Sequence, residues 1–230
     1  MDLLPSDTTL DERDRAATVA LLPIGSFEQH GPHLPLTTDT VIAATLAHEI
    51  AAAHPVRRLP PITISCSHEH AAWPGTVSIS ATTLAAVVRD VAASLHAAGA
   101  TALVLVNGHG GNYVLGNVVQ EANLGPLRMG LFPGEQDWVE AREAAGLATS
   151  ILSDMHAGEL ETSILLHAHP HLVRPHFEQS DWLADDRPHL LSRGLQAYTE
   201  SGVVGRPSLA SARKGRDLLA SLVRSFAGYL

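Results

Sequence analysis

The chain has 230 residues, 45% hydrophobic and 17% charged, which fits one large α/β domain with a substantial core and is too apolar for disorder. A net charge of −9 with a single lysine, Lys214, excludes a basic nucleic-acid surface, since "ARKGR" at Ala212–Arg216 is short and reads as the polar face of a helix. No run of eighteen apolar residues occurs and the acidic start "MDLLPSDTTLDERDRAA" has no basic n-region, so neither a membrane span nor a signal peptide is expected.

In chain order, "ATVALLPIG" (17–25) is an apolar run ended by Pro and Gly and reads as a buried strand. The loop "GSFEQHGPHLPLTTDT" (25–40) follows. Helical spacing runs from Thr40 to Ala53, with Asp39 or Thr38 as N-cap. "PPITISCS" (60–67) reads as a second strand leading into the polar loop "HEHAAWPGT" (68–76). "ATTLAAVVRDVAASLHAAGA" is a helix with Gly99 as the residue after its C-cap. "TALVLVNG" (101–108) is the clearest buried strand, followed by "HGGN" and a helix over "YVLGNVVQEAN".

"PLRMGLF" (126–132) predicts another strand and Gly134–Gly146 a helix with i,i+3 and i,i+4 charge pairs. "HAGELETSILLHAHP" turns from loop to helix and must stop before Pro170. The segment from Val173 to about Arg193 has no clear period, and the tail from about Leu209 to Tyr229 is helical. Strands alternating with helices predict βαβ units and a mostly parallel sheet. Ligands of such sheets bind where strands end and loops begin. The polar clusters fall at three such places: after Gly25, Ser67 and Gly108.

The one cysteine, Cys66, rules out an internal disulfide framework and thiolate zinc motifs, and is compatible with a cytoplasmic setting. Histidine, at fourteen, is the unusual count. A lone loop histidine ordinarily caps a turn or sits in water. That reading covers His48, His54, His96, His167, His169, His171, His176 and His189, and it leaves His33 as a loop residue supporting the site.

Other positions combine. Glu28 and His30 point to one side of an extended segment, and Asp39 lies at a helix start. His109 follows a buried strand among Gly108, Gly110 and Gly111, which allow close approach to the backbone. His156 and Glu161 flank a loop-to-helix junction. Mixed carboxylates and imidazoles suit Zn²⁺, Mn²⁺ or Fe²⁺. Two Glu, one Asp and two His can hold two divalent ions about 3.5–4 Å apart over a shared water if the Asp bridges them. A Ser-His-Asp hydrolase is disfavoured because no G-x-S-x-G elbow is present, and "GHGGN" matches no phosphate loop.

The motifs "LPIGSFEQHGPHLPLTTDT", "EHAAWPGTVSIS", "LVLVNGHGGN", "HAGELETS" and "SGVVGRPSLASARKG", over roughly residues 17–216, resemble the creatininase family of metal hydrolases. The resemblance implies a three-layer α/β/α sandwich over residues 1–230, a two-metal site and a homo-oligomer, often a hexamer. It implies Glu28 and His30 as ligands to different ions, Asp39 as the bridge, His109 and Glu161 as further ligands, and His156 as the proton-transfer residue.

The sequence departs from the creatinine-hydrolysing branch, whose N-G-H-x-E-N glutamate is here Gly111. "NGHGGN" with a downstream E-T pair is closer to branches that deformylate formamidopyrimidines or trim the mycofactocin precursor peptide. The expected activity is hydrolysis of an amide C–N bond in a small amide or short peptide. His70 and Trp73, with Glu69 of similar standing, are expected to line the pocket together with the region after Val173. A non-catalytic metal-binding module on the same fold is the alternative of another class.

Overall fold

Four parallel strands, β1 (Val19–Ile24), β2 (Arg57–Arg58), β3 (Ala102–Asn107) and β4 (Arg128–Phe132), form one sheet in the order β2-β1-β3-β4. The computed structural model describes residues 2–229; Met1 and Leu230, the ends of the predicted domain, lie outside the described residues. Leu103, Val104, Leu105 and Val106 of β3 are all buried. Successive side chains of a strand point to opposite faces. Leu103 and Leu105 accordingly join a core with Leu22, Ile24 and Leu84, while Val104 and Val106 join another with Leu21, Ile42 and Leu218. Burial on both faces is why these strands read as unbroken apolar runs.

The flanking helices are α1 (Thr9–Arg15), α2 (Thr38–Ala53), α3 (Ala81–Ala97), α4 (Val114–Ala122), α5 (Glu135–Ala145), α6 (Glu159–Ala168), the four-residue α7 (Leu190–Arg193) and α8 (Ala212–Ser225). Helices α3 and α4 cover one face, and α2, α5, α6 and α8 the other, giving the expected three-layer α/β/α sandwich. Helix α8 crosses α6 closely: a Cβ at Gly215 would overlap the Ser163 carbonyl.

Three expectations need correction. Pro60–Ser67 is not a strand. Leu59 and Ile62 donate to the Leu21 and Pro23 carbonyls at 2.9 Å, but Pro60 and Pro61 have no N–H, so the ladder breaks and only Arg57–Arg58 is regular. Asp39 and Thr38 are not the N-cap of α2. Thr37 is, and Asp39 lies inside the first turn with its carboxylate turned into the protein. The C-terminal helix starts at Ala212, where the Ser211 side chain accepts from Lys214 N, after a short 3-10 turn at Pro207–Leu209. The region after Val173 consists of 3-10 turns and α7, and its Trp182 bridges to Gly205.

The order β2-β1-β3-β4 makes the chain leave β1 and β3 in opposite directions, which opens a crevice at their C-terminal ends. One glycine follows each strand. A Cβ at Gly25 would overlap the backbone N of Thr40, and one at Gly108 the carbonyl of Asp39. These contacts seat the first turn of α2 in the crevice. Gly25→Ala and Gly108→Ala should each destabilise the fold by about 1–3 kcal/mol through overpacking. Urea unfolding of the purified variants checks this, and unchanged midpoints would contradict it.

Candidate metal centre

The loop after β1 delivers Glu28 and His30, the first turn of α2 delivers Asp39, the end of β3 delivers His109, and the approach to α6 delivers His156 and Glu161. Glu28, His30, Asp39, His109 and His156 are buried, and Glu161 is half-buried. All six converge. Asp39 is central: Oδ1 lies 2.9 Å from His30 Nε2 and Oδ2 lies 3.1 Å from His109 Nδ1, while Ser26 Oγ donates to Oδ2 at 2.8 Å.

The far nitrogens of both imidazoles are committed. His30 Nδ1 donates to the Glu28 carbonyl at 3.0 Å, and His109 Nε2 donates to the Cys66 carbonyl at 2.8 Å. A carbonyl only accepts, so His30 Nε2 and His109 Nδ1 are the atoms left to face the centre, the arrangement that orients imidazoles toward a cation.

Three groups of side chains bring their ligand atoms within 4.8 Å of one another: Glu28–Asp39–His109, His30–Asp39–Glu161 and Glu28–His30–His156. The first two share Asp39. Both carboxylate oxygens of Glu28 are buried without a hydrogen-bond partner, although His70 Nε2 and His109 Nδ1 each come within 3.2 Å of Oε1. An unpartnered buried carboxylate is costly unless something positive meets it. The donor set and this unsatisfied carboxylate fit divalent cations.

The electrostatics agree. Burial alone would raise the Asp39 carboxyl, but the charge of His30 and hydrogen bonds from both imidazoles hold it well below the carboxylate range. Burial likewise opposes Glu28, and the charge of His109 outweighs it to leave a lowered pKa. Burial would lower His30, yet the Asp39 charge lifts it to about 9. His109 is raised well above its usual value against the same burial, chiefly by Glu28. Glu161, whose Oε2 accepts from Ala157 N at 2.5 Å, is pushed to about 8 by burial. His156 and His70 are held neutral by burial, His70 at about 4.

The remaining sequence-selected residues separate. His70 is buried, facing Glu28. Trp73 is half-buried, with its ring 6.4 Å from that of His70. Glu69 fills the space a side chain at Gly111 would need: a Cβ there would overlap Glu69 Oε1, which lies 3.8 Å from His109 Nε2. His33 and His169 are not in water. His33 Nε2 meets Thr162 Oγ1 at 3.2 Å and His169 Nε2 meets Thr45 Oγ1 at 2.8 Å, both buried.

A cavity of about 340 Å³ opens beside His109 and Glu161, walled by Trp138, Ile151, Met155 and Leu160. Neither His70, Trp73 nor Glu69 lines it, and no lining residue lies after Val173. Sequence reasoning missed this wall because Trp138 and Leu160 look like ordinary apolar positions of α5 and α6.

A parallel α/β sandwich with a carboxylate–imidazole centre at its switch point defines a protein able to hold divalent cations, of the kind metal-dependent hydrolases use. The family profile "Creatininase: Creatinine amidohydrolase" matches residues 6–230. The chain is 38% identical over 216 residues to a mycofactocin precursor peptide peptidase of Mycobacterium ulcerans, covering 88% of this chain and 80% of that protein. It is 28% identical over 174 residues to a creatinine amidohydrolase of Pseudomonas putida, covering 67% and 66%. A solved structure described as "Creatininase Mn" superposes with a TM-score of 0.82 at 21% identity, covering 100% of this chain and 97% of the other. The chain belongs to the creatininase family, and it is a hydrolase acting on carbon–nitrogen bonds. Among the described residues no helix is long and apolar enough to cross a membrane.

In the metal-free protein at neutral pH the centre carries protons on His30, His109 and Glu161. A cation needs those same atoms deprotonated. Zinc uptake should therefore release protons, and affinity should strengthen as pH rises from 6 toward 9, through the ranges of Glu161 and His30. Calorimetric titration in buffers of different ionisation enthalpy reads this. Affinity independent of pH, with no proton release, would refute it.

Proposed function

We propose that residues 1–230 form one hydrolase domain that cleaves the amide bond of a short peptide, in which Glu28, Asp39 and His109 together with His30 and Glu161 would hold two divalent ions. The observation that carries this reading is the sharing of Asp39 by two donor groups, Glu28–Asp39–His109 and His30–Asp39–Glu161. When bound, Zn²⁺, Mn²⁺ or Fe²⁺ would supply an acidified shared water and polarise the scissile carbonyl. Glu28 and Glu161 contribute one terminal carboxylate to each group. Asp39 presents a different oxygen to each imidazole and so fixes the separation of the two groups. His156 Nδ1 lies 3.8 Å from Glu28 Oε1 with its lone pair free, so it would hold a proton at the centre and pass it to the leaving nitrogen. The burial of the centre excludes bulk water and strengthens these interactions.

A peptide is favoured over creatinine by the apolar wall beside the centre. Trp138, Ile151, Met155 and Leu160 offer an apolar side chain a place to bury, whereas a small polar lactam would leave that wall unfilled. The 38% identity to a peptidase and the glycine at 111 support the same choice. A non-catalytic module would tolerate loss of a ligand or of the proton-transfer group, yet all six positions are filled. We also propose a cytoplasmic homo-oligomer, supported by the lone buried thiol and the family resemblance.

Asp39→Ala and His109→Ala should each lower the bound zinc and abolish measurable hydrolysis. His156→Ala should keep the zinc and lower kcat by about 10²–10⁴-fold. Zinc analysis alongside assays of creatinine, a formamide and a peptide ending in an apolar–aromatic pair is the test. Full metal content and full activity in Asp39→Ala would end the metal reading.

Trp138→Ala should raise KM for the peptide about tenfold with little change in kcat, the mark of lost ground-state binding. An unchanged KM would remove the cavity from the substrate path.

A further inference from the structure

Gln29 lies between Glu28 and His30 and is 5% accessible. Backbone groups fix the orientation of its amide. Oε1 accepts from Gly31 N at 2.9 Å and Nε2 donates to the Gly202 carbonyl at 3.0 Å. Turning the amide over would set oxygen against a carbonyl and nitrogen against an N–H. Position 202 must be glycine for this contact: its φ is +86° and a Cβ there would overlap the Gln29 amide.

The second hydrogen on Nε2 meets His70 Nδ1 at 2.9 Å. That nitrogen must accept, so the neutral His70 ring carries its proton on Nε2, 3.2 Å from Glu28 Oε1. The main chain of the same residue acts on another ring. His156 Nε2 lies 2.6 Å from the Gln29 carbonyl and must donate to it, which leaves the Nδ1 lone pair 3.8 Å from Glu28 Oε1. The backbone of His156 is itself held by paired hydrogen bonds with Val204, at 3.0 and 2.9 Å. The two rings are neighbours, with centroids 4.3 Å apart.

We propose that Gln29 is the positioning residue that makes these adjacent imidazoles present opposite groups to the centre, an N–H from His70 and a lone pair from His156. His70 then turns its N–H toward the Glu28 carboxylate, 3.2 Å away, and is withheld from cation binding, while His156 stays open as the base. The side chain of Gln29 controls the first ring and its carbonyl the second, so a side-chain substitution separates the two effects. The catalytic consequence rests on the hydrolase reading above; the proton positions do not.

Histidine side-chain ¹H–¹⁵N two-bond correlation spectra of the zinc-loaded protein test this. In the natural protein both His70 and His156 should show the Nε2–H pattern. In Gln29→Glu the side chain no longer donates to Nδ1, and His70 should shift to the Nδ1–H or doubly protonated pattern while His156 is unchanged. Gln29→Met, which cannot hydrogen-bond even if the glutamate is protonated, should likewise release His70. With zinc saturating, kcat should fall about 10- to 100-fold at little changed KM. An Nδ1–H pattern for His70 in the natural protein, or an unaltered His70 in both variants, overturns the proposal. If the variants fail to fold, the spectrum of the natural protein decides alone. Proton positions as described in a protein inactive on every amide would sink the hydrolase reading and leave this assignment standing.

Discussion

The structure turns on one buried carboxylate. Asp39 sits within the first turn of α2, 1% accessible, with one oxygen against His30 and the other against His109. Isolated, such a charge would be too costly to bury. It persists because two imidazoles, the Ser26 hydroxyl and the positive end of the helix dipole face it. Each imidazole is locked at its far nitrogen by a main-chain carbonyl, so neither can turn away. The centre is thus held by backbone, which is rigid, and less by long side chains, which are not.

That arrangement needs the first turn of α2 to lie hard against the ends of two strands. Gly25 and Gly108 permit it, one from each side of the switch point. The segments that complete the site come from far along the chain. His156 is carried by a loop tied back to Val204, and the N-terminus of α6 is pinned through Glu159, which accepts from Ala148 N, Thr149 N and Lys214 Nζ. The only lysine of the chain is therefore engaged in a part-buried ion pair with Glu159 at the α6–α8 junction.

Much of this is legible in the sequence itself. The apolar run of β3 and the β-α alternation required a two-sided parallel sheet, because unbroken apolar strands have no polar face to offer water. Glu28, His30, Asp39, His109, His156 and Glu161 stood out as ionisable residues at strand ends and helix starts. Misreadings arose where local pattern met a backbone constraint. Pro60 and Pro61 break the pairing of a β-rich stretch, and Asp39 looks like a cap while Thr37 takes that place. His169 reads as a solvated loop residue because a single histidine leaves no periodic trace of its burial, although it is buried against Thr45.

The sequence by itself determined the layers, the chemistry of the centre and its family, since these depend on residue type and short-range spacing. The tertiary structure alone decided how the candidate donor residues are grouped, with Asp39 belonging to two groups. It also decided that Glu69 occupies the space beside Gly111, that Trp138 and not Trp73 walls the cavity, and that Gln29 touches two imidazoles 41 and 127 residues away. The physical reason is that hydrogen-bond direction and close approach are properties of segments brought together by the sheet. Residues distant in sequence carry no local signal of which atom each will turn toward the other.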